Sequence, residues 1–377
     1  MSTRRTAAAV LALAALAALL GAGTAAADPH PNVAGGIDVA QAFQVGDVDN
    51  INLFNGALTV TIPVGISYPV SGGFSYQLHL VANSNPWDFS TRTDPFTSVT
   101  YKDSNPTACS NAGLGWRVSL GALTSAGMAT SHVCVPTDGQ GYGSFAVYEA
   151  PDGSQHPFYA TLHPGEPDDF FNGVQDNAQT FVENVTYTRD GTYLRLKHYT
   201  SGNYYEIELP NGNVHRFSGT DGSIVQMRDA FGNQLNVSYP AAASCTGIQA
   251  GESSCWQLSD SQGRTHWIYF RRDLAPYNGA APYGSLISRV VLQSVGGAPA
   301  TYQFSYQMVD VRRGCPFNDT TMFADHLQVP LLVQVNQPDG SSYAPGAGGY
   351  LETAGSGCLD GSGSLTALTV PTLGSLG

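Results

Sequence analysis

The sequence predicts an all-β protein built of stacked antiparallel hairpins. Three observations carry that prediction. Short runs alternate apolar with polar residues, turn dipeptides recur between those runs, and no helix of ordinary length is legible beyond the N-terminal apolar segment. Residues 202–239 show the pattern most clearly. Tyr205, Ile207 and Leu209 alternate with Glu206 and Glu208, the period of a half-buried strand. Asn211 and Gly212 then supply the dipeptide suited to a two-residue hairpin. Asp229-Ala230-Phe231-Gly232-Asn233 marks a second reversal, and Leu235, Val237 and Tyr239 alternate after it. Hairpins with one apolar face bury it only by stacking on their neighbours. The expected architecture is a wall rather than a catalytic pocket.

The chain opens with a secretory signal. Arg4 and Arg5 form a positive start, residues 7–20 are an apolar run of Ala and Leu, and Ala25, Ala26 and Ala27 offer a cleavage site before Asp28. The rival reading is an uncleaved membrane anchor, for which the run is short. The mature protein is therefore expected outside the cell or on its surface, with no membrane span after cleavage. Its formal net charge of −13 becomes −15 once Arg4 and Arg5 are removed. An acidic chain without a basic run is a poor fit to nucleic acid or anionic lipid. Charged residues are 12% of the chain, about half the usual share, so turns and aromatic packing are expected to hold it.

Six cysteines, Cys109, Cys134, Cys245, Cys255, Cys315 and Cys358, suggest disulfides in an exported chain, with fifteen possible connectivities. Local pairing is expected: 109 with 134, 245 with 255, 315 with 358. Cys245 and Cys255 would close a short polar insertion between two strands. A redox role is the alternative, with nothing nearby in sequence to depress a thiol pKa.

Three regions follow: a signal peptide at 1–27, an N-terminal β region at 28–125, and hairpin repeats at 126–377. In the second, Leu58, Val60 and Ile62 alternate up to Pro63, where the strand is expected to end. Phe74, Tyr76, Leu78 and Leu80 make its partner after a turn at Ser71, Gly72 and Gly73. The stretch between Asn83 and Asn111 is rich in Pro, Ser, Asn and Thr and reads as loop. Leu114-Gly115-Trp116-Arg117 opens another short strand.

Hairpin modules begin near Ser144. Asp152-Gly153, Asp190-Gly191, Asn211-Gly212 and Asp339-Gly340 each precede a strand, three of them behind a proline that fixes φ. Tyr302, Phe304, Tyr306 and Met308 form a strand expected to pair with residues 286–292, and residues 318–327 are expected to hold a turn or two of helix. The second kind of turn also recurs. Asp229, Gly232, Asn233 and Tyr239 are matched by Asp260, Gly263, Arg264 and the Tyr269-Phe270 pair. Each Asp can accept backbone N–H bonds that the reversal leaves free, and the later aromatic would pack across to the next hairpin.

These residues resemble the Rhs/YD-repeat family, whose repeat runs roughly as G…Y…G…D..G(N/R)…Y. Residues 204–239 follow it, with Tyr205, Asn211, Gly212, Asp229, Gly232, Asn233 and Tyr239 in the motif. Asp260, Gly263, Arg264 and Tyr269 fit a second copy. The resemblance is specific around 202–270 and loose elsewhere, where the Asn55-Gly56, Gly113-to-Trp116 and Tyr148-to-Phe158 elements are similar to the region before the repeats in long members. It implies a β-sheet ribbon wound into a hollow shell, with a core region that plugs it and, in toxin-bearing members, releases a C-terminal cargo. The plug motif of Asp-Pro-x-Gly-Leu type and a variable cargo domain are not found here. The chain stops in residues 368–377 at a strand entering a turn, so it reads as the N-terminal part of a shell.

Other chemistry has weaker signals. No G-x-S-x-G elbow is present. Glu166, Asp168 and Asp169 sit beside Gly165 and Pro167, the pattern of a solvated loop more than of facing carboxylates. Asp47, Asp49, Asn50 and Asp319 invite calcium, yet Ile51 breaks the EF-hand spacing and turn capping explains them. His215, His266 and His326 are scattered, and Trp87, Trp116, Trp256 and Trp267 read as packing unless an exposed coplanar pair exists. The expectation is a non-catalytic shell segment with no cofactor or metal, whose partners are the rest of a longer shell or a protein cargo. The second reading is a glycan- or cell-surface-binding module that uses exposed aromatics.

Overall fold

The computed structural model describes residues 42–44, 49–52, 58–83, 87–93, 98, 100–106, 110–125, 146–159, 175–176, 180–272, 285–294, 297–312 and 326–345. The first strands are β1 (Ala42–Gln44), β2 (Asp49–Asn52), β3 (Leu58–Pro69), β4 (Ser75–Asn83), β5 (Trp87–Thr93), β6 (Thr100–Pro106) and β7 (Trp116–Ser119). Next come β8 (Ala122–Ser125), β9 (Ala146–Glu149), β10 (Gln155–Tyr159), β11 (Gln175–Asp176), β12 (Thr180–Thr188) and β13 (Arg195–Tyr199). They lead into β14 (Tyr204–Glu208), β15 (Val214–Ser218), β16 (Ile224–Arg228) and β17 (Gln234–Ser238). The last are β18 (Glu252–Asp260), β19 (Thr265–Arg271), β20 (Leu286–Gln293), β21 (Pro299–Arg312), β22 (His326–Asn336) and β23 (Ser342–Tyr343). Among the described residues the only helical elements are single 3-10 turns at Thr200–Gly202 and Ala242–Ser244. The protein is all-β and antiparallel.

Strands β1-β2-β3-β4-β7 form a five-stranded sheet, and β5 pairs with β6 alone. The remaining sixteen strands make one long sheet, running from β8 through β9, β10 and β12 to β23, with β11 beside β12. Successive strands pair as successive hairpins, so contacts are local and the sheet grows like a ribbon.

One core joins the two larger sheets. Val60, Ile62 and Val64 of β3, Leu78 and Leu80 of β4, and Trp116 of β7 pack with Ile207, Phe217, Leu235, Leu258, Ile268 and Leu292 of the long sheet. Each such fully buried side chain contributes roughly 1.5–3 kcal/mol, so the contact between the sheets, more than either sheet alone, stabilises the fold. Hydrogen bonds fix the N-terminal sheet at both ends of the long one. At the rim formed by the β16–β17 and β18–β19 turns, Ser71 donates to Asp229 Oδ2 (2.7 Å), Gln262 to the Val70 carbonyl (2.8 Å) and Arg264 to the Pro69 carbonyl (2.6 Å). Toward the opposite rim, the segment leading into β7 is held, Ile287 N–H donating to the Asn111 carbonyl (2.8 Å) and Leu114 N–H to the Pro330 carbonyl (2.8 Å). The N-terminal sheet thus spans the apolar face of the ribbon from rim to rim.

The structure corrects several expectations. Strand β3 does not end at Pro63 but continues to Pro69, with Pro63 opposite His79. Among the described residues the β2 pairing runs only to Val60, so Pro63 lies beyond that ladder, a position where a missing N–H is tolerated. The stretch between Asn83 and Asn111 is not all loop. It holds the β5–β6 hairpin, in register from Trp87 opposite Pro106 to Thr93 opposite Thr100. Its Thr and aromatic residues carry strand propensity that the surrounding Pro, Ser and Asn obscure. The boundary drawn after residue 125 falls between β8 and β9, which pair in the long sheet. Residues 318–325 of the expected helical turn lie outside the described residues, and His326 and Leu327 begin β22.

Candidate functional site

Asn211, Gly212, Asp229, Gly232, Asn233, Asp260, Gly263 and Arg264 of the motif lie on the turns of one rim, and the turn geometry differs from the sequence expectation. Asn211 and Gly212 do not form a two-residue hairpin. Leu209 N–H donates to Asn213 O and Gly212 N–H to Leu209 O, both at 2.9 Å, and only Gly212 has a positive φ, at +83°. This is a three-residue loop, a type I turn closed by a bulge glycine, in which Asn211 keeps an ordinary φ behind Pro210. The same pair of backbone bonds closes 150–154, 229–233, 260–264, 294–298 and 337–341.

Asp229 and Asp260 each use both carboxylate oxygens. Asp229 Oδ1 accepts the N–H groups of Phe231 and Asn233, both at 2.9 Å, and Asp260 Oδ1 those of Gln262 (2.9 Å) and Arg264 (3.0 Å). The second oxygens reach outward. Asp229 Oδ2 accepts from Asn233 Nδ2 and Ser71, and Asp260 Oδ2 from Arg264 Nε (2.6 Å) and the Tyr76 hydroxyl (2.8 Å). Burial alone would raise the Asp229 carboxyl, but Ser71, Asn233 and the turn N–H groups hold it down at about 2. Asp260 is lowered in the same way, burial being outweighed by Tyr76 and Arg264. Each turn aspartate therefore caps its own hairpin and holds the tip of the β3–β4 hairpin.

Behind Asp260 the clamp continues inward. His266 Nδ1 accepts from Gln293 N–H (3.0 Å), so Nε2 carries the proton and donates to the Tyr76 oxygen (2.7 Å), whose own proton goes to Asp260. Burial keeps His266 neutral, with its pKa lowered to about 4, and pushes the Tyr76 phenol far up. The Arg264 guanidinium lies 5.3 Å from the Tyr68 ring centre.

A second constellation was not legible in the sequence. Ser154 Oγ lies 2.8 Å from His156 Nε2, and His156 Nδ1 lies 2.6 Å from Asp190 Oδ2, the order of a nucleophile, base and orienting acid. Its proton count argues against that role. Ser154 donates its single hydroxyl proton to Asp152 Oδ1 (2.7 Å), as Ser223 does to Asp221 and Ser341 to Asp339, both at 2.7 Å. The Ser154 proton is directed away from His156 Nε2, while Nδ1 faces the Asp190 carboxylate and donates to it. Ser154 is also only 3% exposed. Asp190, pushed up by burial but held down more strongly by His156 and Thr192, sits at about 2. The triad joins two neighbouring turns. Finding it from sequence needed the β10–β12 pairing, which brings together residues 34 apart.

The other motif residues are placed as follows. Tyr205 stacks on His198, rings 4.1 Å apart and nearly parallel. Tyr239 donates to the Ile224 carbonyl (2.7 Å) and meets Trp256 edge-on at 5.5 Å. Trp256 in turn meets Phe270 at 4.9 Å, so Phe270, not Tyr269, takes the place of Tyr239 in the second copy. Tyr269 points to the opposite face, beneath the Arg289 guanidinium (3.7 Å) and beside the disulfide. The strand period decides this: 239 lies ten residues after Asp229, and 270 ten after Asp260. Gly232 and Gly263 hold φ of +86° and +79°. Cys245 and Cys255 form a disulfide, with Cα atoms 6.0 Å apart. Cys109, Cys134, Cys315 and Cys358 lie outside the described residues, as do Asp47, Glu166, Asp168, Asp169 and Asp319. Among the described residues no group of three His, Cys, Asp or Glu is arranged to hold a metal ion.

No model of a known protein family matches this chain. No curated protein matches it either.

Proposed function

We propose that this chain is a non-catalytic structural segment of an exported or cell-surface β-shell of Rhs/YD type, serving containment or display. In this reading the hairpin ribbon is shell wall and the N-terminal sheet is the seal across its apolar face. The partners are further wall or a protein cargo. The observation that carries it is the use of Asp229 and Asp260: every carboxylate oxygen of the repeat motif is engaged in holding turns and the β3–β4 tip. An aspartate so engaged is scaffolding, not a free acid or base.

The residues that come nearest to an active centre, Ser154, His156 and Asp190, supply the test. A fluorophosphonate probe, which labels activated serines, is expected to leave the folded full chain unlabelled. Labelling that disappears in Ser154→Ala but survives substitution of an exposed serine would establish a hydrolase instead.

A further inference from the structure

We propose that the outer face of β13–β16, opposite the core, docks an acidic polysaccharide, a polymer carrying carboxylates along its length. The strand register sets side chains there in rows. Arg195 lies opposite Glu208, Glu208 opposite Val214, and Val214 opposite Arg228. The next row runs Lys197, Glu206, Arg216 and Gln226, and a third pairs Tyr199 with Tyr204, whose rings stack at 4.7 Å. Each carboxylate is shared by two cations. Glu208 takes Arg195 and Lys197 (2.7 Å), and Glu206 takes Arg216 (2.7 Å) and Arg228 (3.2 Å). Four cations over two carboxylates leave this face positive in a chain whose formal net charge is −13.

The charges are also layered. The Glu206 side chain is 5% exposed, whereas those of Arg195, Arg216 and Arg228 are 46%, 34% and 37% exposed. Around Glu206 the carboxylate lies beneath and the two guanidinium groups are partly open to solvent, whereas at the other carboxylate Lys197 is buried and Glu208 is 24% exposed. Arg195 and Arg216 each turn Nε and Nη2 onto the internal carboxylates, so a ligand carboxylate meets their remaining N–H groups. Aromatic rings stand among them. Tyr204 lies 4.4 Å beneath Arg216, and Tyr193, two residues before Arg195, is 74% exposed at a left-handed φ of +55°. A non-glycine residue held in that conformation is a recurrent mark of binding sites.

The spacing favours a polymer. Arg195 and Arg228 are three strands apart, about 14 Å, so one small anion cannot engage both. The overall acidity argues against nucleic acid, whose dense phosphates would meet the rest of the chain's negative field. A uronate polymer carries sparser charge and offers a sugar face to the exposed ring of Tyr193.

The test is binding of the full chain to polygalacturonate, with dextran and single-stranded DNA as controls. Retention on polygalacturonate is expected at low salt, lost by about 0.5 M sodium chloride, and weakened roughly tenfold in an Arg195→Gln/Arg228→Gln variant that melts like the wild type. Hydrogen exchange of the unmodified chain supplies a second readout, with soluble polygalacturonate expected to slow exchange within 193–228. Absent retention, equal retention on dextran, preference for DNA, an unaffected variant, or protection elsewhere would each overturn the proposal. Its failure leaves the scaffold reading untouched, because that reading requires no ligand on this face.

Discussion

Gly113 and Gly232 both hold a positive φ, +95° and +86°, but they are constrained differently. A Cβ on Gly232 would meet no atom within 4 Å, so only backbone strain opposes a side chain there. A Cβ on Gly113 would lie 2.8 Å from Leu332 N and 3.1 Å from Pro330 O, backbone that cannot step aside. Gly232→Ala is therefore expected to cost about 1–2 kcal/mol, the left-handed penalty alone. Gly113→Ala adds crowding to strain and is expected to cost on the order of 3–5 kcal/mol. Denaturant midpoints of the two variants check the order, and equal losses would refute the close approach of 113 to β22. The turn glycine was legible in the sequence because its neighbours spell a turn. The role of Gly113 was not, since the strand it touches lies more than 200 residues away.

At the scale of elements, legibility followed locality. Hairpins such as β14–β15 and β16–β17 were readable because strand, turn and strand are contiguous. Their turn class was not, since Asn-Gly suits both a two-residue and a three-residue loop and Pro210 selects the latter. The β5–β6 hairpin was hidden by polar composition, and the run through Pro63 by the proline itself, which marks a strand end unless its partner across the sheet is known. The candidate site was legible only in half. Asp229 and Asp260 stand out by their spacing to glycine, yet Ser71 and Tyr76 reach them across 158 and 184 residues. Such long-range contacts depend on tertiary packing, to which sequence period is blind.

For the whole molecule, the packing of one sheet on the other buries titratable groups. His215 and His266 face the core, and burial lowers both to about 4, with Asp260 opposing and Arg264 reinforcing the shift at His266. In the unfolded chain a histidine titrates near 6.5, so between those values the unfolded state binds more protons. Stability is expected to be full above about pH 6.5 and to fall as pH drops toward 4, by up to about 3 kcal/mol for each histidine. Asp190 and Asp229, held at about 2, extend the loss from about pH 4 downward. Melting curves across pH 7 to 4 measure this, and His266→Gln is expected to flatten the upper part. A melting temperature constant over that range would mean the histidines are not buried in the core.

If the N-terminal sheet fills the ribbon from rim to rim, neither can open without the other. Native-state hydrogen exchange over a denaturant series tests this directly. Amides of β4 (Ser75–Asn83) and β19 (Thr265–Arg271) are expected to converge on one opening free energy with one denaturant slope. If β4 instead exchanges through a separate opening of lower free energy and shallower slope while β19 stays protected, the seal is an appendage and the account is contradicted.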